Sequence, residues 1–94
     1  MSESRIRYLA RARSDLLQII HYGRGEQLPD PVAYVRTLRE RIVVLAEHRD
    51  RGRLGRVDGT REWVLVGTPY IAVYRLSVGG VIEVLRILHG KQTA

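Results

Sequence analysis

Glu62-Trp-Val-Leu-Val66, Tyr70-Ile-Ala-Val-Tyr-Arg-Leu-Ser77 and Val81-Ile-Glu-Val-Leu-Arg-Ile-Leu88 are three apolar runs rich in β-branched and aromatic residues, separated by Gly67-Thr68-Pro69 and Gly79-Gly80. Runs of this composition bounded by glycine and proline predict strands. Connections this short force consecutive strands to pair antiparallel, so the C-terminal third is a meander. The last run is apolar on nearly both faces, with Val81, Leu85 and Ile87 opposite Ile82, Val84 and Leu88. It is therefore expected inside the sheet, not at its edge.

Working back from the meander, Arg49 to Arg61 holds five arginines, two aspartates and three glycines, which predicts a loop with a brief strand around Leu54 to Val57. Before it, Asp30 can accept hydrogen bonds from first-turn N–H groups, and Pro31 stands where a missing N–H costs nothing. A helix is expected from Pro31 to Glu47 or His48, with Val35, Leu38, Ile42 and Leu45 as its apolar stripe. A first helix, from Ala10 to about Tyr22, repeats Ala12, Leu16, Ile19, Ile20 and Gly23 at three-and-four spacing, with Gly23 and Gly25 to stop it. Arg5 to Leu9 alternates as a short half-buried strand. Strand, helix, helix and a three- to four-strand meander make one α+β domain over residues 1–94, with the helix pair on one face of a twisted antiparallel sheet.

Composition narrows the function classes. The 94 residues carry 16 Lys+Arg against 10 Asp+Glu, a formal charge of +6, and 45% are hydrophobic, so the chain folds as one small domain and is not disordered. Cysteine is absent, which removes disulfides, thiolate zinc sites and cysteine nucleophiles. No His/Asp/Glu cluster has metal-ligand spacing, and neither a cofactor nor a metal is expected. No apolar run approaches membrane-spanning length and the first residues lead into no signal-peptide core, so a cytoplasmic protein without membrane contact is expected. Fifteen of the sixteen basic residues are Arg, which fits either a GC-rich coding bias or bidentate binding of carboxylate or phosphate.

Four motifs in order give the chain a resemblance to a known family. They are Ala12-Arg-Ser-Asp15-Leu16 with Ile19 and Tyr22; Gly52-Arg-Leu-Gly55-Arg56 followed by Gly59-Thr-Arg61-Glu62; Thr68-Pro-Tyr70-Ile-Ala-Val-Tyr74-Arg75; and Arg86-Ile-Leu-His89-Gly90. Together they resemble the RelE/ParE superfamily of type II toxin–antitoxin toxins, and most of all its ParE-like branch, often named plasmid stabilisation proteins. The resemblance implies a toxin neutralised by a cognate antitoxin whose acidic or amphipathic segment wraps around it, with DNA touched only through the complex. ParE-like members inhibit DNA gyrase without being enzymes. RelE-like members bind the ribosome and cut mRNA without a metal.

The choice between gyrase and mRNA rests on a few positions. The resemblance to ribonucleases of this superfamily implies a His-Tyr pair near the C-terminus and an Arg in the penultimate strand. Here His89 is followed by Gly90, and Ile71 stands where that Arg would lie. Arg61, Arg86 and His89 would have to serve alone, so a gyrase inhibitor is the expectation and a ribonuclease the alternative; a degenerate toxin that only binds antitoxin is a third. Arg61, Arg75 and Arg86 could converge on one sheet face, or pair with acids such as Glu62 and Glu83. Arg49, Arg51, Arg53, Arg56 and Arg75 are candidate contacts to target or antitoxin. Leu16, Ile20, Val35 and Leu38, beside Arg36 and Arg39, are candidates for an antitoxin groove, because a two-helix layer leaves the edges of its apolar stripes exposed.

Overall fold

A computed structural model describes residues 5–25, 29–48 and 50–90. The elements are β1 (Ile6–Tyr8), α1 (Ala10–Gly25), α2 (Pro31–Val43), a 3-10 turn (Val44–Glu47), β2 (Arg53–Leu54), β3 (Arg61–Val64), β4 (Tyr70–Leu76) and β5 (Ile82–His89). The sheet runs β1-β5-β4-β3-β2. The meander is antiparallel throughout, whereas β1 pairs with β5 in parallel, so the sheet is mixed.

Both helices lay their stripes on one face of the sheet. Ala12, Leu16 and Ile19 of α1 and Val35, Leu38 and Ile42 of α2 meet Ala72, Tyr74, Ile82, Val84 and Ile87 in a single core. Asp30 caps α2 as its sequence implies, accepting from the Ala33 N–H at 3.0 Å, with Pro31 at the first turn. The 3-10 turn tightens the end of α2 and keeps Leu45 fully enclosed. α1 does not stop near Tyr22 but continues to Gly25. Gly23 lies four residues after Ile19 on the buried stripe, and burial there outweighs the roughly 1 kcal/mol that a helical glycine costs.

Gly52 and Gly55 of the arginine-rich segment are placed by close approach, and Gly59 by its positive φ of 83°. A Cβ on Gly52 would stand 2.6 Å from the Tyr74 hydroxyl, which instead accepts the Gly52 N–H at 3.0 Å. Gly55 lies against the Thr60 side chain, and Gly55 N–H donates to the Thr60 carbonyl while Thr60 N–H donates to Val57, closing a turn. That turn ends β2 at Leu54, so the strand expected to reach Val57 is two residues long.

β5 lies inside the sheet, between β1 and β4, but its two faces are not those read from alternation. The register shifts between Val73 and Tyr74: Tyr74 faces Val84, Val73 faces Arg86, and Leu85 is the extra residue. This bulge reverses the alternation beyond it. Ile87 thereby joins Ile82 and Val84 on the helix side, while Leu85 and Leu88 share the opposite face.

The sheet margin beside α1 is closed by side chains. Arg13 donates to the outward carbonyl of Tyr8 at 2.8 Å, which blunts the β1 edge against further pairing. β1 pairs only with Ile82 to Val84 of β5, and Asp15 takes over beyond it, accepting the Ile87 N–H at 2.9 Å.

Candidate functional site

The face of the sheet away from the helices is a ladder of cross-strand ion pairs. Arg53 of β2 faces Glu62 of β3 and bonds it at 2.8 Å. Arg75 of β4 and Arg7 of β1 both face Glu83 of β5 and reach it at 2.7 and 3.4 Å. The carboxylates lie low, with side chains 9% and 11% exposed, whereas Arg7, Arg53 and Arg75 are 60%, 59% and 51% exposed. The acids are thus hidden beneath a layer of guanidinium groups.

Arg86 holds Asp15 through Nε at 2.8 Å and Nη2 at 3.1 Å. That hydrogen bonding raises the Arg86 pKa further above its already high ordinary value, with burial opposing it. Neither Glu62 nor Glu83, the partners anticipated for it, is used. The pairing with Asp15, 71 positions away, carries no signal in sequence spacing. Between Arg56, Arg75 and Arg86 lies a cleft of about 440 Å³ floored by Val73, Leu85 and Leu88.

Arg61 belongs elsewhere. It faces Tyr74 across the β3–β4 ladder, and cross-strand neighbours share a face, so it points to the helix side, where its Nη1 donates to the carbonyls of Asp50 and Gly52 at 3.0 and 2.8 Å. The three arginines considered for one face therefore divide, Arg75 and Arg86 bordering the cleft and Arg61 anchoring the loop behind the sheet. Arg51 is exposed, and Arg49 lies outside the described residues.

His89 sits at the far end of the sheet opposite Tyr70, with ring centroids 5.6 Å apart edge to face. Tyr34 meets Tyr70 in the same manner at 6.2 Å. Burial raises the pKa of both tyrosines. From the Arg61 row to the His89 row is about 13 Å along the strands and about 10 Å across two of them. The structure does not bring these two residues together. Trp63 is half-buried and donates to the Arg41 carbonyl at 3.3 Å.

On the outer side of the helix pair a second groove, also about 440 Å³, runs between Ile20, Val32, Val35 and Val43, bordered by Arg36, Arg39 and Glu40. Leu38 is fully enclosed and Leu16 nearly so, so both support the floor from within the core. Arg39 lies 4.9 Å over the Tyr8 ring, a cation–π contact that fixes the guanidinium beside the groove. Val32 and Val43, not singled out from sequence, are 47% and 41% exposed there. Val32 lies one turn before Val35 and Val43 directly follows Ile42, and this placement beside the stripe is the available signal.

The model of the "ParE toxin of type II toxin-antitoxin system, parDE" matches residues 6–94. The chain belongs to the ParE toxin family. It is 39% identical over 93 residues to the Sinorhizobium fredii protein named "Putative toxin Y4kP", covering 98% of this chain and 94% of that one. It also resembles a solved chain of the "Chromosomal ParDE TA system from P. aeruginosa", with TM-score 0.77, 26% identity and coverage of 89% and 92% of the two chains. This ParE-family toxin is a type II toxin–antitoxin component with a cognate antitoxin as partner. Among its described residues no group of three His, Asp or Glu side chains could hold a metal ion, and no helix is long and apolar enough to cross a membrane.

Proposed function

We propose that this ParE-family toxin acts in the cytoplasm by inhibiting DNA gyrase, and that its antitoxin silences it by seating an amphipathic segment in the groove of the helix pair. One observation carries the choice of target. The residues that would have to cut RNA are dispersed and already engaged: Arg61 with two loop carbonyls behind the sheet, Arg86 with Asp15, and His89 with Tyr70 at the sheet end. Cleavage by 2′-hydroxyl attack needs a proton acceptor, a proton donor and a cation around one phosphate. Ile71, 7% exposed, and Gly90 supply none of these.

The antitoxin half of the reading rests on the groove. An apolar floor of Ile20, Val32 and Val43 with cations at Arg36 and Arg39 suits a helix that presents aliphatic residues flanked by acids. The charge of +6 favours capture of an acidic partner. The test is to induce the toxin in cells with and without its antitoxin, following plasmid topology and mRNA integrity together. Loss of negative supercoiling with intact mRNA, reversed by the antitoxin, supports the reading. Codon-specific mRNA cuts with normal supercoiling transfer the protein to the ribonuclease class.

A further inference from the structure

The cleft on the open face of the sheet lies on the other side of the molecule from the helix groove. Its floor, Val73, Leu85 and Leu88, is aliphatic, and the β5 bulge makes it by setting Leu85 and Arg86 together opposite Val73. Its rim is cationic, with Arg56 on the loop after β2, Arg75 on β4 and Arg86 on β5. We propose that this cleft is where the toxin grips its protein target, taking an extended acidic segment whose aliphatic side chains enter the floor. This rests on the reading that the target is a protein, and adds the surface and the chemistry of the segment it holds.

Three observations select that occupant. Arg75 and Arg86 are held in place from below by Glu83 and Asp15, at 2.7 and 2.8 Å, so a carboxylate arriving from solvent meets oriented donors and little side-chain entropy is lost. Of the acids bordering the cleft among the described residues, Glu62 is buried against Arg53 and Asp58 alone is exposed, so the outward field is that of the guanidinium layer. No lining residue among the described residues is aromatic. Single-stranded nucleic acid is gripped by stacking its bases on aromatic rings, and the cleft offers none. An acidic aliphatic peptide uses both floor and rim.

The test titrates the isotope-labelled toxin by NMR with three probes: a short capped peptide alternating Glu with Leu and Val, the same peptide with Lys for Glu, and an oligothymidylate. The acidic peptide should shift the amides of Val73, Leu85 and Leu88, and the basic peptide should not. Arg56→Glu, on an exposed loop, should weaken the acidic peptide about tenfold at low salt. In cells, Arg56→Glu should lose toxicity while still binding antitoxin. Val73→Gln serves as a second variant, its fold checked by circular dichroism. The proposal is overturned if the acidic peptide shifts only groove residues such as Ile20 and Val32, if the oligothymidylate takes the cleft in preference, or if Arg56→Glu remains fully toxic. Supercoiling by gyrase with the unmutated toxin tests the preceding reading separately, because binding of the peptide probe does not depend on which protein is poisoned.

Discussion

Asp15 binds Arg86 with both carboxylate oxygens, at 2.8 and 3.1 Å, and accepts the Ile87 N–H at 2.9 Å with one of them. One side chain of α1 thus pairs a cation of the open face and completes the β5 edge where β1 ends. Asp15→Ala leaves a partly buried guanidinium and a strand amide unpaired, and should cost about 2–3 kcal/mol in urea unfolding. Arg86→Ala leaves the amide satisfied and should cost less. Equal costs would mean that the Ile87 bond contributes nothing.

Tyr74 is fully enclosed, and its hydroxyl takes the Gly52 N–H. Tyr74→Phe should lose about 1–2 kcal/mol, because the buried amide of Gly52 is left without an acceptor. The check is the urea midpoint, with amide exchange at Gly52 accelerated.

Alkaline pH should destabilise the fold. Tyr8, Tyr34, Tyr70 and Tyr74 all have pKa values raised above 10.0, burial being the largest cause for each. The unfolded chain then releases these protons before the folded one does. Stability is full below about pH 10 and falls as pH climbs through 10 towards the raised folded values. Unfolding free energies measured from pH 8 to 11 should show the decline, and Tyr74→Phe should make it shallower.

The arginine-rich loop is not uniformly a surface device. Arg51 is exposed, and Arg51→Ala should change stability by no more than about 0.5 kcal/mol while slowing capture of an acidic partner. Arg53 neutralises Glu62, whose side chain is 9% exposed, so Arg53→Ala should cost about 1–2 kcal/mol. Thermal melts of the two single variants separate the roles.

In the helix groove, Val32→Glu places a charge on an exposed apolar wall without touching the core. It should weaken antitoxin binding at least about tenfold in calorimetry and leave toxicity unchanged, since the groove is separate from the cleft proposed for the target.

These outcomes also mark what the sequence could and could not disclose. Asp30-Pro31, the apolar stripes and the Gly-bounded β-branched runs are local signals, and each produced its element close to the expected place. The parallel pairing of β1 with β5 and the Asp15–Arg86 pair join residues more than 70 positions apart, which no periodicity encodes. The β5 bulge was hidden for a different reason. An apolar strand buried on both faces reads the same in either alternation, so the side taken by Ile87 is decided only by its neighbours Ala72 and Val73. The cleft depends on that bulge, so its floor could not be read before the register was known.

Gyrase, and not mRNA, is the target proposed for this toxin, and the most direct measurement places the purified protein in two assays at once. One contains gyrase with relaxed plasmid, the other ribosomes translating a defined mRNA, each with the unmutated toxin and with His89→Ala. Blocked supercoiling by both proteins, with uncut mRNA, is the predicted result. Cleavage of mRNA at A-site codons that His89→Ala abolishes, with gyrase unaffected, would contradict it.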